Sequence, residues 1–130
     1  MRRIWIVSVF VLVLGLAAGP AWAGDSPISV PNSVEQGEKL KVKAFDCESG
    51  PDWTAIVQVE IFDEETGERV GIRTREADED GSTRVKIRIT EGRYPPGRYV
   101  VVVTCIHQFD DGSEGIWYEE EDTFRVVAAS

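Results

Sequence analysis

Apolar and polar residues alternate along most of this chain with a period of two. Between residues 38 and 45, Leu40, Val42 and Ala44 alternate with three lysines, and residues 83–89 repeat the pattern. A period of two places the apolar side chains on one face of a β-strand. The pattern predicts seven strands, over residues 28–31, 38–45, 55–62, 69–75, 83–89, 98–105 and 123–127.

Turn residues separate these segments, and no stretch keeps a helical period for more than two turns. Composition agrees, because residues 24–130 contain 13 valines and 8 isoleucines but one leucine, Leu40. β-Branched side chains suit a pleated sheet better than a helix. Short strands at regular turn spacing, each with one apolar face, predict an all-β sandwich of about seven strands. The segment 98–105 is apolar on both faces, as expected of a central strand.

The first 23 residues have the pattern of a cleaved export signal. Arg2 and Arg3 precede an apolar run, a Gly-Pro break follows it, and Ala21-Trp22-Ala23 is a small-residue cleavage site. The run is shorter than the roughly 20 residues that span a membrane. We therefore expect a secreted protein cut near Ala23, with residues 24–130 forming a single domain and no membrane span.

Removing the signal changes the formal charge from −9 to −11, because Arg2 and Arg3 leave with it. Such a chain is poorly suited to binding nucleic acid or an anionic membrane surface. The predicted loops 46–54, 76–82 and 106–122 follow alternate strands, so we expect them to share one end of the sandwich. They hold 14 of the 23 acidic residues and neither Lys nor Arg.

This acidic end is the candidate partner-binding surface. A turn at 110–113 indicates that the loop 106–122 is an extended hairpin. Its aromatic residues either anchor a partner or cap the core, and we expect Trp117 or Tyr118 to cap it. The candidate residues are Trp53, Asp78, Asp80, Phe109, Asp110, Asp111, Trp117, Tyr118, Glu119 and Glu120.

The mature chain has two cysteines, Cys47 and Cys105, and one histidine, His107. In an exported protein an isolated pair is most simply a disulfide, although a redox or metal-binding thiol pair is the alternative. Two thiols and one histidine do not complete the four-ligand set of a structural zinc site.

The segments ISVPNSVEQGEKLKVKAFDC (28–47) and PPGRYVVVVTC (95–105) resemble bacterial secreted immunoglobulin-like domains. The resemblance implies a Greek-key sandwich whose two sheets are joined by a disulfide, and a role in binding, adhesion or spacing. Two departures separate it from antibody variable domains: Val103 occupies the position of their tyrosine, and Trp53 precedes the third strand.

No catalytic motif or cofactor-binding pattern is present, so we expect a non-enzyme without a cofactor. We expect the acidic end to contact an extracellular protein or peptide of positive charge. The alternatives are a carbohydrate-binding module that uses the loop aromatics, a spacer or inhibitor, and simple solvation of the charges. Calcium has weak support from the carboxylate clusters, which form no complete motif. We also hypothesise that repulsion raises the pKa of some clustered carboxyls.

Overall fold

The computed structural model describes residues 26–129, so the predicted signal and its cleavage site lie outside the described residues. Eight strands form the domain, and no described helix is long and apolar enough to cross a membrane. The strands are β1 (Ile28–Ser29), β2 (Ser33–Glu35), β3 (Lys39–Ala44), β4 (Trp53–Asp63), β5 (Arg69–Glu76), β6 (Thr83–Arg88), β7 (Gly97–Phe109) and β8 (Glu114–Val127).

The strands form two sheets that pack face to face. One has three strands in the order β1-β3-β6, and the other has five in the order β2-β8-β7-β4-β5. All pairs are antiparallel except β2 with β8, which is parallel. This is immunoglobulin topology, in which the first strand is divided between the two sheets, here as β1 and β2. β5 is an additional strand beside β4. The predicted all-β Greek-key sandwich is confirmed.

The core lies between the facing sides of the two sheets, where alternate residues point inward. Leu40 and Val42 of β3 are fully buried, as are Val57 and Val59 of β4 and Val103 of β7. Register keeps these side chains on one face, since Val57 pairs with Cys105 and Val59 with Val103 across β4 and β7. The alternation in the sequence therefore identifies most of the core directly.

A disulfide joins the two sheets at one end of this core. Cys47 follows β3 of the three-stranded sheet, Cys105 lies in β7 of the five-stranded sheet, and both sulfur-bearing residues are buried. The pairing expected from the sequence is confirmed, and no free cysteine is present among residues 26–129.

A tyrosine fixes the connection that enters β7 from β6. The Tyr99 hydroxyl donates a hydrogen bond of 2.6 Å to the Pro95 carbonyl four residues upstream. This is the contact of the tyrosine corner of immunoglobulin domains. Tyr99 lies further from Cys105 in the sequence than the corner tyrosine of antibody domains lies from its cysteine. The antibody position, occupied here by Val103, therefore does not carry this tyrosine.

The strand prediction was wrong at the C-terminal end. Residues 106–122 are not an irregular connection but the extended hairpin that the turn at 110–113 indicated, because β7 extends to Phe109 and β8 begins at Glu114. The strand that was not predicted is β2, which is only three residues long and is held by its parallel pairing with residues 125–127 of β8. The expected turn at 110–113 is present at the tip of a long hairpin.

Candidate functional site

The hairpin formed by β7 and β8 carries most of the large apolar side chains that are exposed. Among the residues that the structure describes, four large apolar side chains are exposed, and three of them belong to this hairpin. Ile116 is 66% exposed, Trp117 is 62% exposed and Phe109 is 37% exposed, whereas the fourth, Ile72, lies on β5. Trp117 and Phe109 lie on the face of the sheet that carries His107, whereas Ile116, which pairs with Ile106, lies on the other face.

A local irregularity in β8 accounts for the exposure of Trp117. Cys105 pairs with Tyr118 and Ile106 pairs with Ile116, so Trp117 is the extra residue where the register shifts. A bulge of this kind redirects a side chain and increases the local twist. The Trp117 ring consequently lies over the ring of His107 instead of continuing the simple alternation of the strand.

Three rings form an aromatic stack across β4, β7 and β8, composed of Trp53, His107 and Trp117. The centroids of His107 and Trp53 are 5.2 Å apart with planes inclined by 27°, and those of His107 and Trp117 are 5.4 Å apart with planes inclined by 14°. Both distances are in the range of favourable stacking. His107 therefore lies between two indoles, one of which presents its other side to solvent.

The inner end of the aromatic stack is fixed by the loop before β4. The Trp53 Nε1–H donates to the Glu48 carbonyl at 2.9 Å. Gly50 lies so close to the indole that any Cβ at this position would overlap the ring. Burial lowers the pKa of His107, which favours the neutral imidazole between the two indoles.

His107 had no assigned role in the sequence. The available signal was spacing. His107 lies two residues after the buried Cys105, and Trp53 lies two residues before Ala55, the residue of β4 that pairs with His107. Both residues therefore continue the inward-facing series beyond the core. The position of Trp117 had no comparable signal, because it depends on the bulge.

Tyr118 has the opposite role from its neighbour Trp117. Its hydroxyl donates to the Phe45 carbonyl at 2.7 Å, and its half-buried ring packs against the core. Burial, together with the negative charges of Asp46 and Glu120, raises the pKa of Tyr118 to about 12. The expected capping of the core is thus provided by Tyr118, and Trp117 remains available at the surface.

Three loops meet at the tip of this hairpin, and we call them the acidic loops: residues 45–52, residues 77–82 and the hairpin turn 110–113. The Cys47 N–H donates to the Gly81 carbonyl at 3.2 Å, and the Asp110 N–H donates to the Asp52 carbonyl at 3.1 Å. They bring together eight of the carboxylates that the sequence placed at one end: Asp46, Glu48, Asp52, Asp78, Glu79, Asp80, Asp110 and Asp111.

Local interactions moderate this charge. Arg75, in β5, forms an ion pair of 3.0 Å with Asp78, so one base reaches into the acidic loops from the strand beside them. The Asp111 carboxylate accepts bonds from the Ser113 hydroxyl and N–H, at 2.6 and 2.9 Å. These bonds lower the pKa of Asp111, the opposite direction from the one expected of repulsion.

The placement of Glu119 and Glu120 at the acidic end was wrong. They belong to an acidic run, residues 119–122, that forms the middle of β8 and pairs with residues 101–104 of β7. Burial raises the pKa of Glu120 and of Glu121, and repulsion from Glu119 and Glu120 adds to the shift at Glu121. The expected effect of repulsion thus occurs in the strand, as a contribution smaller than burial.

The carboxylates do not converge on a cation position. Within residues 26–129, no three His, Cys, Asp or Glu side chains come together as a set that could hold a metal ion.

Comparison with known proteins finds similarity among solved structures. No protein-family model and no curated protein matches the chain. Among solved structures, it is similar to a CARDB domain from Pyrococcus furiosus that was determined with two metal ions. The two share 17% identity at a TM-score of 0.39, over 78% of this chain and 84% of that chain.

Proposed function

We propose that this chain is a secreted, non-catalytic binding module that contacts a cationic protein through the hairpin and the acidic loops. The observation that carries this proposal is the exposed Trp117 ring, which ends the aromatic stack beside the acidic loops. Secretion rests on the signal pattern of residues 1–23, and a buried disulfide is typical of an oxidising compartment.

The chemistry of this surface suits basic side chains. A lysine or arginine over the face of a tryptophan is attracted by the ring, and nearby carboxylates add to that attraction. Phe109, whose ring lies beside those of Trp53 and His107, supplies further exposed apolar contact area on this face. Aromatic anchors surrounded by such contacts commonly contribute most of the energy of a protein interface. His107 and Trp53 hold the anchor from behind, which reduces the entropy lost on binding.

The second candidate is carbohydrate binding, and the exposed Trp117 ring also favours it, because a sugar can stack on such a ring. The geometry supports it less well. Trp53 and Trp117 lie on opposite sides of His107 instead of side by side, and Gly50 packs against the Trp53 indole. The surface therefore offers one exposed indole, and the exposed Phe109 ring is inclined by 57° to Trp53, whereas a sugar chain favours a pair of exposed coplanar rings.

The test is capture of partners from the native extracellular medium at low and high salt, followed by measurement of each partner's affinity. We expect Trp117→Ala to weaken binding at least tenfold, as expected for an interface anchor. The matched control is Ile72→Ala, which removes an exposed apolar side chain from β5. Equal affinities of these two variants would contradict the proposal.

Charge is tested separately with Asp46→Asn and Asp110→Asn. Asn tolerates the positive φ of 58° at residue 46, so the loop is preserved. The double variant should weaken the complex and reduce its salt dependence, while Glu65→Gln with Glu91→Gln, away from the acidic loops, should change neither. Binding of a neutral glycan instead, with no salt dependence, would favour the carbohydrate alternative.

A further inference from the structure

We infer that the free edge of β8 accepts an extended, basic peptide segment as an additional strand. The inference rests on the proposed function in that the partner is a cationic polypeptide, and it specifies how such a partner is recognised. The edge in question runs along residues 116–121, from the hairpin to the middle of β8.

The strand order leaves this edge uncovered. β8 pairs with β7 along almost its whole length, but on its other side β2 reaches only residues 125–127. Residues 119–123 are all exposed at the surface, although neighbouring groups partly desolvate the carboxyls of Glu120 and Glu121. In the part of the chain that the structure describes, no strand pairs with this side of β8 before residue 125.

The direction of the backbone groups follows from the hydrogen bond at residue 125. The Arg125 N–H donates to the Asn32 carbonyl, so it points away from β7. The register between β7 and β8 is unbroken from Tyr118 to Val126, and alternate residues in a strand share one direction. The N–H and C=O groups of Glu121 and Glu119 therefore also point outward.

The next outward N–H along this edge, that of Thr123, is satisfied by a side chain of the same strand. The Thr123 N–H, which has the same direction, donates to the Asp122 carboxylate at 2.8 Å. Closer to the hairpin turn, the Phe109 N–H donates to the Ser113 carbonyl, so the backbone groups of Ser113 face β7. Because the direction alternates along the strand, the backbone groups of Ile116 face outward. The edge thus passes directly beside Trp117.

Charge selects the occupant. Glu119 and Glu121 lie on the outer face of the sheet, whereas Glu120 and Asp122 lie on the face that includes the core residues. An added strand with lysine or arginine at successive positions would meet a carboxylate on either face, and opposite-charge pairs across strands are favourable. Strand addition obtains its affinity from main-chain hydrogen bonds and its specificity from such side chains.

A second copy of the chain fits the same edge poorly. Antiparallel pairing of two β8 strands centred on Glu120 would place Glu119 opposite Glu121 and Glu120 opposite itself. Like charges directly opposite destabilise a strand pair, which is one way that natural sheets prevent self-association. The occupant we propose is consequently a basic peptide and not another copy.

The experiment uses the full chain and a synthetic peptide of eight residues in which lysine alternates with valine. We expect saturable binding at low ionic strength, at least a tenfold loss of affinity in 0.5 M salt, and slower hydrogen exchange at the Glu119 and Glu121 amides. The same peptide with alternate backbone nitrogens methylated keeps its charge but cannot pair as a strand, and it should bind at least tenfold more weakly.

Two protein variants locate the contact. Glu121→Pro removes an outward N–H that β7 does not use, so the edge is blocked while the sheet is retained, and binding should be lost. Glu121→Gln keeps the N–H and should lose less than fivefold. Exchange rates of the core amides of β7 check that the proline variant is folded.

The inference is overturned if the lysine peptide does not bind at millimolar concentration, if the methylated peptide binds equally well, or if the free chain dimerises through β8 at neutral pH. Should Trp117→Ala weaken the natural partner while Glu121→Pro leaves it unaffected, the strand addition is rejected and the proposed function stands. Loss of binding with Glu121→Pro but not with Trp117→Ala would instead support the edge and reject the hairpin anchor.

Discussion

At the scale of single residues, close packing around Tyr94 restricts residue 71 in β5, the edge strand of the five-stranded sheet, to glycine. Tyr94 is 2% exposed, and its ring contacts Tyr99 edge-on with centroids 5.7 Å apart. Gly71, in β5, lies against the Tyr94 hydroxyl, and a Cβ at this position would overlap the hydroxyl oxygen. Because the ring is buried between other side chains, it has little freedom to move away.

We predict that Gly71→Ala destabilises the protein by about 1–3 kcal/mol, the usual cost of overpacking a well-filled core. Denaturation in urea measures this free energy of unfolding. Gly92→Ala is the control, because nothing lies within 4 Å of a Cβ built at residue 92. Combining Gly71→Ala with Tyr94→Phe, which removes the obstructing oxygen, should restore part of the loss. A double variant no more stable than Gly71→Ala would show that the hydroxyl is not the cause.

At the scale of elements, the acidic run of β8 makes stability depend on pH. Burial raises the pKa of Glu120 and Glu121 in the folded protein, so folding disfavours their charged forms. Between the ordinary glutamate pKa and the raised values, the folded state binds more protons than the unfolded state. The stability contribution of these groups therefore falls as pH rises through that window and increases as pH falls through it.

We predict that Glu121→Gln raises the free energy of unfolding at pH 7 by up to about 0.5 kcal/mol, the usual range of surface substitutions. The gain should disappear near pH 4, where the wild-type carboxyl is largely protonated. Thermal denaturation across this pH range is the measurement, and Glu91→Gln, in the connection before β7, is the control. A gain that persists unchanged at pH 4 would rule out ionisation of Glu121 as its origin.

The same strand shows how far the sequence predicts the fold. Alternation located β3 and β6 because buried positions alternate with charged outward ones, and it located β4 because every second residue from Ala55 to Ile61 is apolar and buried. It missed the middle of β8, where four consecutive acids have low strand propensity. Pairing with Val101, Val102 and Val103 of β7 overrides that preference. The acidic loops could be predicted from topology, whereas the aromatic stack could not, since it requires the bulge that places Trp117.

At the scale of the whole molecule, the two sheets are connected in two ways. Their apolar faces form one core, and the bond between Cys47 and Cys105 closes a segment of 58 residues that contains β4, β5 and β6. The bond also lies next to the proposed binding surface. Cys47 begins the loop that leads to Gly50 and Trp53, and Cys105 pairs with Tyr118 at the bulge.

We predict that Cys47→Ala combined with Cys105→Ala lowers the free energy of unfolding by about 4 kcal/mol, because the unfolded chain regains the freedom of the 58-residue loop. Guanidinium denaturation of the oxidised wild type and of the variant measures the difference, and the wild type under reducing conditions should resemble the variant. Since both cysteines are fully buried, the alanines also leave small cavities that add to the loss. A loss below about 1 kcal/mol would mean that the packed core alone determines the association of the two sheets.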